Sequence, residues 1–256
     1  MTQTLFLAWQ DQYSGPEAQP ASRLWFPIGR LDIAENERDY RFRYTHGAEV
    51  ARQKAGFEPL DSFPELKKDY HSAELFTLFR NRVPSPNRRD YADIVHRLGL
   101  DVDAGSYDIL AVGGGRRQTD NLEVFPQIQK RVDGGFDCRF FLHGWRHVSE
   151  SARAHINELQ AGDSLRVAIE LNNPATGIAL QLQTADDYHM LGWAPRYLVH
   201  DLMNAVSEAS NDLRAEVARV NPAPVPHNQR VLVQMSGHLP TNYSPMDSEE
   251  FIPLVG

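Results

Sequence analysis

The chain has 256 residues, of which 41% are apolar and 23% charged, and its formal net charge is −8. These proportions are typical of a folded, water-soluble protein, and the length suits one large domain or two small ones. No stretch approaches the roughly 20 apolar residues of a membrane helix, and the N-terminus lacks the basic start of a signal peptide. A single cysteine, Cys138, excludes an internal disulfide and a cysteine-cluster zinc site. We therefore expect a cytoplasmic protein of bacterial type with no membrane association.

The negative charge is concentrated in the second half of the chain. Residues 1–130 hold 17 Lys and Arg against 19 Asp and Glu, whereas residues 131–256 hold 9 against 15. Proteins that grip long nucleic acids usually present a basic stripe to the phosphates. Extensive backbone binding is therefore disfavoured, while a compact pocket built on two or three arginines is compatible with this charge.

The first 130 residues predict a small antiparallel sheet with helices. Alternating or apolar runs predict strands at 5–9, 24–31, 40–44 and 120–125, and helical spacing predicts helices at 47–55, 72–84 and 88–98. The charged turn 32–39 would join the second and third strands as a hairpin. Pro27 favours an edge position for the second strand, because proline cannot donate to a ladder. Thr45 is predicted to cap the first helix through its side chain, and Gly56 to end it.

Prolines and glycines at 126–136 predict a domain boundary, after which the pattern changes. Strands are predicted at 136–145, 165–171, 178–183, 190–193 and 230–235, and a helix at 196–209. The stretch before the linker 221–226 is helix-like, and the proline-containing residues 237–256 are expected to form a tail laid over the surface. The expected organisation is a first region, 1–130, and a second, 131–256.

One glycine-rich stretch, Gly113-Gly-Gly-Arg-Arg117, could be a phosphate loop. It lacks the spacing and the strand-to-helix setting of such loops, so a turn between a helix and a strand is favoured. Arg116 and Arg117 are nevertheless candidate contacts to a phosphate or an acidic partner.

Metal and catalytic motifs are weak throughout. His143 and His147 lie four residues apart in a strand-like stretch, where their side chains would be about 13 Å apart. The adjacent carboxylates Asp186 and Asp187 are expected to form a solvated turn tip. No pattern marks a nucleophile. We therefore expect no metal, no cofactor and no enzymatic activity.

A set of motifs between residues 140 and 202 resembles the HIRAN domain. The most specific pieces are Gly144-Trp-Arg146, Asn172-Asn-Pro174 and Gly192-Trp-Ala-Pro-Arg-Tyr-Leu198, supported by Leu159-Gln-Ala-Gly-Asp163 and the alternating strands at 165–171 and 178–180. The resemblance, extended over about 137–235, implies a six-stranded, OB-like β-barrel with two helices. It also implies binding of single-stranded DNA, typically at a 3′ end. With the first region, it predicts an α+β protein in which a small antiparallel sheet with helices precedes an OB-like barrel with helices.

The resemblance assigns roles to particular residues. Arg146 matches a phosphate-binding arginine, and His147 replaces a tyrosine that packs on the terminal base. Asn172 and Asn173 match the paired asparagines of the pocket loop. The last two matches, Trp193 and Arg196, fall where the family supplies further contacts to nucleotide and phosphate. Planar rings can stack on a base, and arginines can neutralise phosphates.

Two positions depart from the family pattern. After Asn-Asn-Pro the family usually continues Tyr-Asp, whereas this chain has Ala175 and Thr176. In the family, the tyrosine is the main stacking partner of the base, and the aspartate accepts a hydrogen bond from the terminal hydroxyl. The barrel is thus better supported than specificity for a 3′ end, and a reading in which these residues only build the barrel is equally open.

The first region resembles the N-terminal subdomain of HipA-type serine/threonine kinases. The resemblance covers about 5–125 and rests on Ile28-Gly-Arg-Leu31, Tyr40-Arg-Phe-Arg-Tyr44, Pro59-Leu60, Phe63-Pro64 and Leu75-Phe-Thr-Leu-Phe-Arg-Asn-Arg-Val-Pro84. In that family this subdomain contacts protein partners. The phosphate-binding and metal-binding motifs of the kinase have no counterpart here, so kinase activity is not implied.

The leading hypothesis is a non-catalytic protein that binds single-stranded DNA or a DNA end through the barrel and a protein through the first region. The alternative is a protein-interaction or regulatory module, of toxin–antitoxin or phage-defence type, whose barrel no longer binds DNA. A third reading, an enzyme, would require a cleft of mutually placed polar residues near Arg116, Arg117 and Asp120.

Overall fold

The computed structural model describes residues 3–11, 24–34, 38–174 and 176–256. Contacts between residues divide the chain into two compact units. The first unit comprises the residues up to 95 together with 100–127 and 246–256, and the second comprises 96–99 and 128–245. None of the helices in the described ranges has the length and apolar character needed to cross a membrane.

The first unit is built on a five-stranded antiparallel sheet in the order β4-β3-β2-β1-β5. Its strands are β1 (Gln3–Gln10), β2 (Trp25–Ile33), β3 (Tyr40–Tyr44), β4 (Tyr70–Ser72) and β5 (Leu122–Pro126). The helices are α1 (His46–Ala55), α2 (Thr77–Arg80), α3 (Tyr91–Arg97) and α4 (Ser106–Gly113), and the last two residues of α3 are grouped with the second unit. The core is rich in aromatic rings, with Phe42 stacked on Phe63 at 3.9 Å between centroids.

Pro27 does not mark an edge strand, because β2 lies between β1 and β3. The structure tolerates the proline because β2 begins to pair with β3 only at Gly29. On its other side, the register with β1 shifts next to Ala8, which lies opposite Pro27. A missing N–H is acceptable at such an irregularity. The predicted edge position is therefore wrong, although the predicted hairpin between β2 and β3 is confirmed.

The first helix ends as predicted but begins differently. Gly56 adopts a left-handed conformation, with φ of 68°, and its N–H bonds to the carbonyl of Arg52. Thr45 occupies the N-cap position, but its hydroxyl donates to the buried carbonyl of Pro27 instead of capping the helix. The side-chain cap predicted for Thr45 is thus wrong, because the irregularity beside it offers a carbonyl that needs a donor.

One predicted helix is much shorter in the structure, and one stretch predicted to be helix-like is a strand. The segment 72–84 begins with the end of β4 and contains only the single turn α2. The stretch before the linker is β11 (Arg214–Val220). Alanine, glutamate and arginine favour a helix locally, yet Ala215 and Val217 alternate with exposed neighbours and are buried. Pairing with other strands overrides the local preference in β11.

The second unit contains a seven-stranded antiparallel sheet in the order β10-β9-β8-β11-β12-β7-β6. The remaining strands are β6 (Gln129–Lys130), β7 (Gly135–Phe141), β8 (Ser164–Asn173), β9 (Gly177–Thr184), β10 (Met190–Trp193) and β12 (Val231–His238), and the helices are α5 (Glu150–Ile156) and α6 (Val199–Ala209). The strand ladders of the described residues do not close into a barrel. The structure thus shows an α+β chain with antiparallel sheets, and the OB-like barrel stays a prediction.

One isolated bridge connects distant parts of this sheet. His143, two residues beyond the end of β7, pairs with Trp193 at the end of β10. Both backbone N–H···O distances are 2.9 Å. The bridge therefore joins β10, at one edge of the sheet, to the segment that follows β7, the sixth strand in the order.

The C-terminal segment packs within the first unit instead of forming a tail of the second region. Residues Thr45 and Pro253 form an antiparallel bridge, and the ring of Phe251 contacts Phe6 edge-on at 4.9 Å. The hydrophobic contact and the backbone pairing together explain why residues 246–256 belong to this unit.

A buried ionic network crosses three strands of the first unit. Asp32 on β2 accepts hydrogen bonds from Thr4 of β1 at 2.7 Å, from Arg30 at 2.9 Å and from Arg43 of β3 at 2.7 Å. Burial alone would raise the pKa of Asp32, but these hydrogen bonds and the charge of Arg30 together outweigh it and leave the pKa below its ordinary value. Asp32 is therefore the anion that balances a buried arginine.

We expect Asp32→Asn to lower the free energy of unfolding by about 3–5 kcal/mol, because Arg43 would remain buried without its counter-ion. Equilibrium denaturation with urea measures this loss. The matched control is Asp90→Asn, which removes a carboxylate from an exposed pair with Arg88 and should change stability little.

The loss should depend on pH. Because the folded state lowers the pKa of Asp32, its contribution is complete above the ordinary value of 3.8 and disappears as the pH falls through the lowered one. Equal stability of Asp32→Asn and the unmodified chain at pH 7 would contradict this assignment.

Candidate nucleic-acid interface

Trp193 lies at the centre of the candidate site because its ring packs directly on Gly144. Gly144 has φ of 68°, a left-handed conformation that favours glycine. A Cβ atom added there would lie 2.4 Å from Cε3 of the indole. The bridge between His143 and Trp193 brings the two segments this close. Glycine at 144 thus serves both the turn and the packing of the ring.

The indole nitrogen of Trp193 is held by a carboxylate that sequence analysis did not single out. Trp193 Nε1 donates to Glu170 Oε2 at 2.5 Å, and Asn173 Nδ2 donates to the same oxygen at 3.0 Å. The hydrogen bond from Trp193, with further bonds from Asn173 and Gln181, lowers the pKa of Glu170. An ionised carboxylate is therefore fixed between the tryptophan and the hairpin loop.

The paired asparagines differ in their surroundings. Asn172 is exposed, has φ of 61° and lies where the register between β8 and β9 shifts. Asn173 is partly buried, and its Oδ1 accepts a hydrogen bond from the Thr176 hydroxyl at 3.1 Å. Thr176 therefore closes the loop, while Ala175 lies outside the described residues. Asn172 is the asparagine that is open to a ligand.

Arg146 and His147 belong to a 3₁₀ turn, Trp145–His147, that lies against β10. Trp145 anchors this turn, because its Nε1 donates to the carbonyl of His227 at 2.6 Å. Both Arg146 and His147 are exposed. Within the described chain, no hydrogen bond or ion pair engages the guanidinium of Arg146. The turn thus presents a free cation beside the strand that carries Trp193.

Arg196 is less accessible than Arg146. It begins the 3₁₀ turn Arg196–Leu198, directly after Pro195, and is partly buried. Arg196 already interacts with other groups of the protein. Binding of a phosphate by Arg196 would have to exchange or supplement those contacts.

The glycine-rich stretch of the first unit follows a helix instead of preceding one. Gly114 ends α4 with φ of 70°. The helix therefore presents its C-terminal carbonyl groups to the glycine-rich stretch, whereas a phosphate loop presents the N–H groups of a helix N-terminus. Arg116 and Arg117 are both exposed, and Arg116 forms an ion pair with Glu123 at 2.6 Å. The geometry supports a turn at this place, and both arginines stay candidate contacts.

The structure therefore gathers most of the predicted pocket around one strand. Asn173 and Trp193 share Glu170, and the turn carrying Arg146 and His147 packs beside β10. Glu170 could not be found from the sequence, because its partner Trp193 is 23 residues away and the register between the strands is not encoded in a motif.

Comparisons with protein-family models, with curated proteins and with solved structures found no match to this chain. The resemblances to the HIRAN domain and to the HipA subdomain thus rest on sequence motifs alone.

We expect Gly144→Ala to destabilise the second unit more than Gly162→Ala. Both glycines have positive φ, which costs alanine about 1–2 kcal/mol. At Gly162 an added Cβ meets nothing within 4 Å, whereas at Gly144 it would strike Trp193. Overpacking should add about 1–3 kcal/mol. Urea denaturation of the two variants measures the difference, and equal losses would show that the ring does not pack on Gly144.

Proposed function

We propose that the chain is a non-catalytic binding protein whose second unit holds single-stranded DNA or a DNA end beside Trp193. The observation that carries this proposal is the exposed, unengaged Arg146 on a turn that packs against the strand of Trp193. A turn that carries a guanidinium and packs beside the strand of a fixed aromatic ring can offer a phosphate contact and a stacking surface together. In this proposal the first unit contacts a protein partner, as its resemblance to the HipA subdomain implies.

The bridge between His143 and Trp193 supports an OB-like barrel in the second unit. If the bridge is counted as a strand contact, the order β10-β9-β8-β11-β12-β7 returns to β10. Six strands then form a ring, which is the strand number that the HIRAN resemblance implies. The bridge consists of one residue pair. The further backbone hydrogen bonds that would close the barrel completely are part of the proposal.

The charges around Trp193 favour a short binding site with a defined polarity. Arg146 attracts a phosphate, whereas the ionised Glu170 repels one. A terminal 3′-hydroxyl can instead donate a hydrogen bond to a carboxylate. We therefore propose that the DNA end lies toward Glu170 and the DNA backbone toward Arg146. Glu170 would then take the place of the aspartate that the family has and this chain lacks.

Fluorescence anisotropy with short labelled oligonucleotides tests this proposal. We expect saturable, salt-sensitive binding, since each phosphate contact on single strands contributes about −0.7 to the slope of log K against log salt. Arg146→Ala should weaken the affinity because it removes one such contact. An oligonucleotide ending in a 3′-hydroxyl should bind more tightly than one ending in a 3′-phosphate, and Glu170→Gln should reduce this preference.

The matched control is Arg153→Ala, since Arg153 is an exposed arginine on α5 of the same unit. It removes the same charge from outside the proposed pocket and should affect binding less than Arg146→Ala. Absence of saturable binding at low salt would contradict DNA binding altogether, and equal effects of the two variants would contradict the location of the pocket.

A second candidate function, binding of a protein partner, is favoured by an apolar patch on the β8–β9 hairpin. Leu171 is 67% exposed and lies opposite Ile178, which is 40% exposed, and Ile169 on the same face is 44% exposed. On its other side β8 pairs with β11 only at Ser164 and Leu165. Exposed apolar side chains on an open strand edge are typical of protein interfaces.

Affinity capture from the native host distinguishes the two candidates. If the hairpin binds a protein, the partner should survive nuclease treatment and be lost with Leu171→Asp. Val132→Asp serves as the control, since Val132 is a fully exposed apolar residue elsewhere in the unit. Partners that disappear with nuclease, or that persist with Leu171→Asp, would contradict a protein interface at the hairpin.

A further inference from the structure

Two histidines and an aspartate of the second unit converge at one point of the surface. His155 lies on α5, while Asp187 and His189 lie in the turn between β9 and β10. The Oδ2 atom of Asp187 is 3.2 Å from Nε2 of His189 and 3.7 Å from Nε2 of His155. One ligand atom of each residue lies within 4.8 Å of the other two. Both imidazoles thus direct the same nitrogen at one carboxylate oxygen.

These distances suit a single transition-metal ion. Zinc binds histidine nitrogen and carboxylate oxygen at about 2.0–2.2 Å, so neighbouring ligands of a tetrahedral site lie roughly 3.3 Å apart. The two Asp187–histidine distances bracket that value. The two imidazole rings are stacked at 4.1 Å between centroids, so both side chains would have to rotate for their nitrogens to converge on one ion. The cluster is open to solvent, with side chains about one-third exposed at both histidines, so a fourth position remains for water.

His155 lies between two carboxylates, an arrangement that favours a positive charge at this point. Its Nδ1 is 3.2 Å from Glu158 Oε2, and its Nε2 faces Asp187. A neutral imidazole has one N–H and one lone pair, so it can donate to only one of these carboxylates. If Nδ1 donates to Glu158, the lone pair of Nε2 faces a second anion. An ion between Nε2 and Oδ2 removes this repulsion.

The residues behind the cluster resemble the supporting shell of known metal sites. Metal-bound histidines usually donate their second N–H to a carboxylate, and the metal-bound carboxylates are hydrogen-bonded as well. Glu158 stands at the second nitrogen of His155. The hydroxyl of Thr184 donates to the other oxygen of Asp187. Two of the three proposed ligands, His155 and Asp187, therefore already have a supporting contact of this kind.

We propose that His155, Asp187 and His189 bind one divalent transition-metal ion of the zinc type. Imidazole nitrogens favour such ions over magnesium and calcium, which prefer oxygen ligands. The ion would connect α5, which packs beside β10, to the β9–β10 turn. Its role is to hold the turn from which β10 leads to Trp193, and it is independent of whether the chain binds DNA.

Titration of the tag-free, chelator-treated full chain with Co²⁺ and Zn²⁺ tests the site. We expect one ion per chain, visible absorption bands of bound Co²⁺ that Zn²⁺ abolishes, and a higher melting temperature with Zn²⁺. His189→Ala and Asp187→Asn should each weaken binding at least tenfold. Glu158→Gln should also weaken it, by about 10–100-fold, because it removes the carboxylate that supports His155.

The control is His71→Ala, which removes a histidine paired with a single carboxylate, Asp69, at 3.1 Å in the first unit. This variant should bind Co²⁺ as the unmodified chain does. Because all four positions are partly or fully exposed, circular dichroism should show folded variants, and any unfolded one is replaced by His155→Gln. Binding of no ion, or the same affinity in the folded site variants and the unmodified chain, would overturn the proposal.

Discussion

The candidate site depends on one backbone contact, the bridge between His143 and Trp193. Two hydrogen bonds of 2.9 Å bring the end of β10 against the segment that leaves β7. Without this contact the ring of Trp193 would not meet Gly144, and the turn carrying Arg146 would not lie beside β10. The bridge is a small part of the hydrogen bonding in the sheet, yet it determines which side chains share one surface.

A second constraint acts through Glu170. Its carboxylate fixes the indole of Trp193 and the amide of Asn173 at 2.5 and 3.0 Å. These bonds also place a negative charge within the candidate site. In a unit whose sequence is already acidic, that charge would repel a phosphate, which is why the proposed DNA backbone lies on the side of Arg146. The same geometry therefore supports a small, directional site and opposes a long electropositive groove.

Local patterns were sufficient to predict most elements but not their neighbours. The strand at 190–193 and the helix end at Gly56 were predicted from alternation and from glycine, both of which act within a few residues. Pro27 and Thr45 were misread because the irregularity between β1 and β2 depends on distant pairing. β11 was misread because its buried alternation competes with strong helix formers.

The candidate site shows the same division. Arg146, Asn173 and Trp193 could be named from motifs, but Glu170 links the last two only after the strands are in register. Likewise, Asp187 is exposed in a turn, as the sequence predicts, but the structure also places it against two histidines, one of them 32 residues earlier in the chain. Side chains brought together by strand register or helix packing leave no local signal.

The proposed binding of a nucleic acid at Trp193 is tested most directly by the indole N–H signals of the chain's four tryptophans. In a ¹⁵N-labelled sample, each signal is assigned by replacing one tryptophan with phenylalanine. We predict that a short 3′-hydroxyl oligonucleotide shifts the signals of Trp193 and Trp145 and leaves those of Trp9 and Trp25, in the first unit, unchanged. An unmoved Trp193 signal at saturating oligonucleotide would contradict the account.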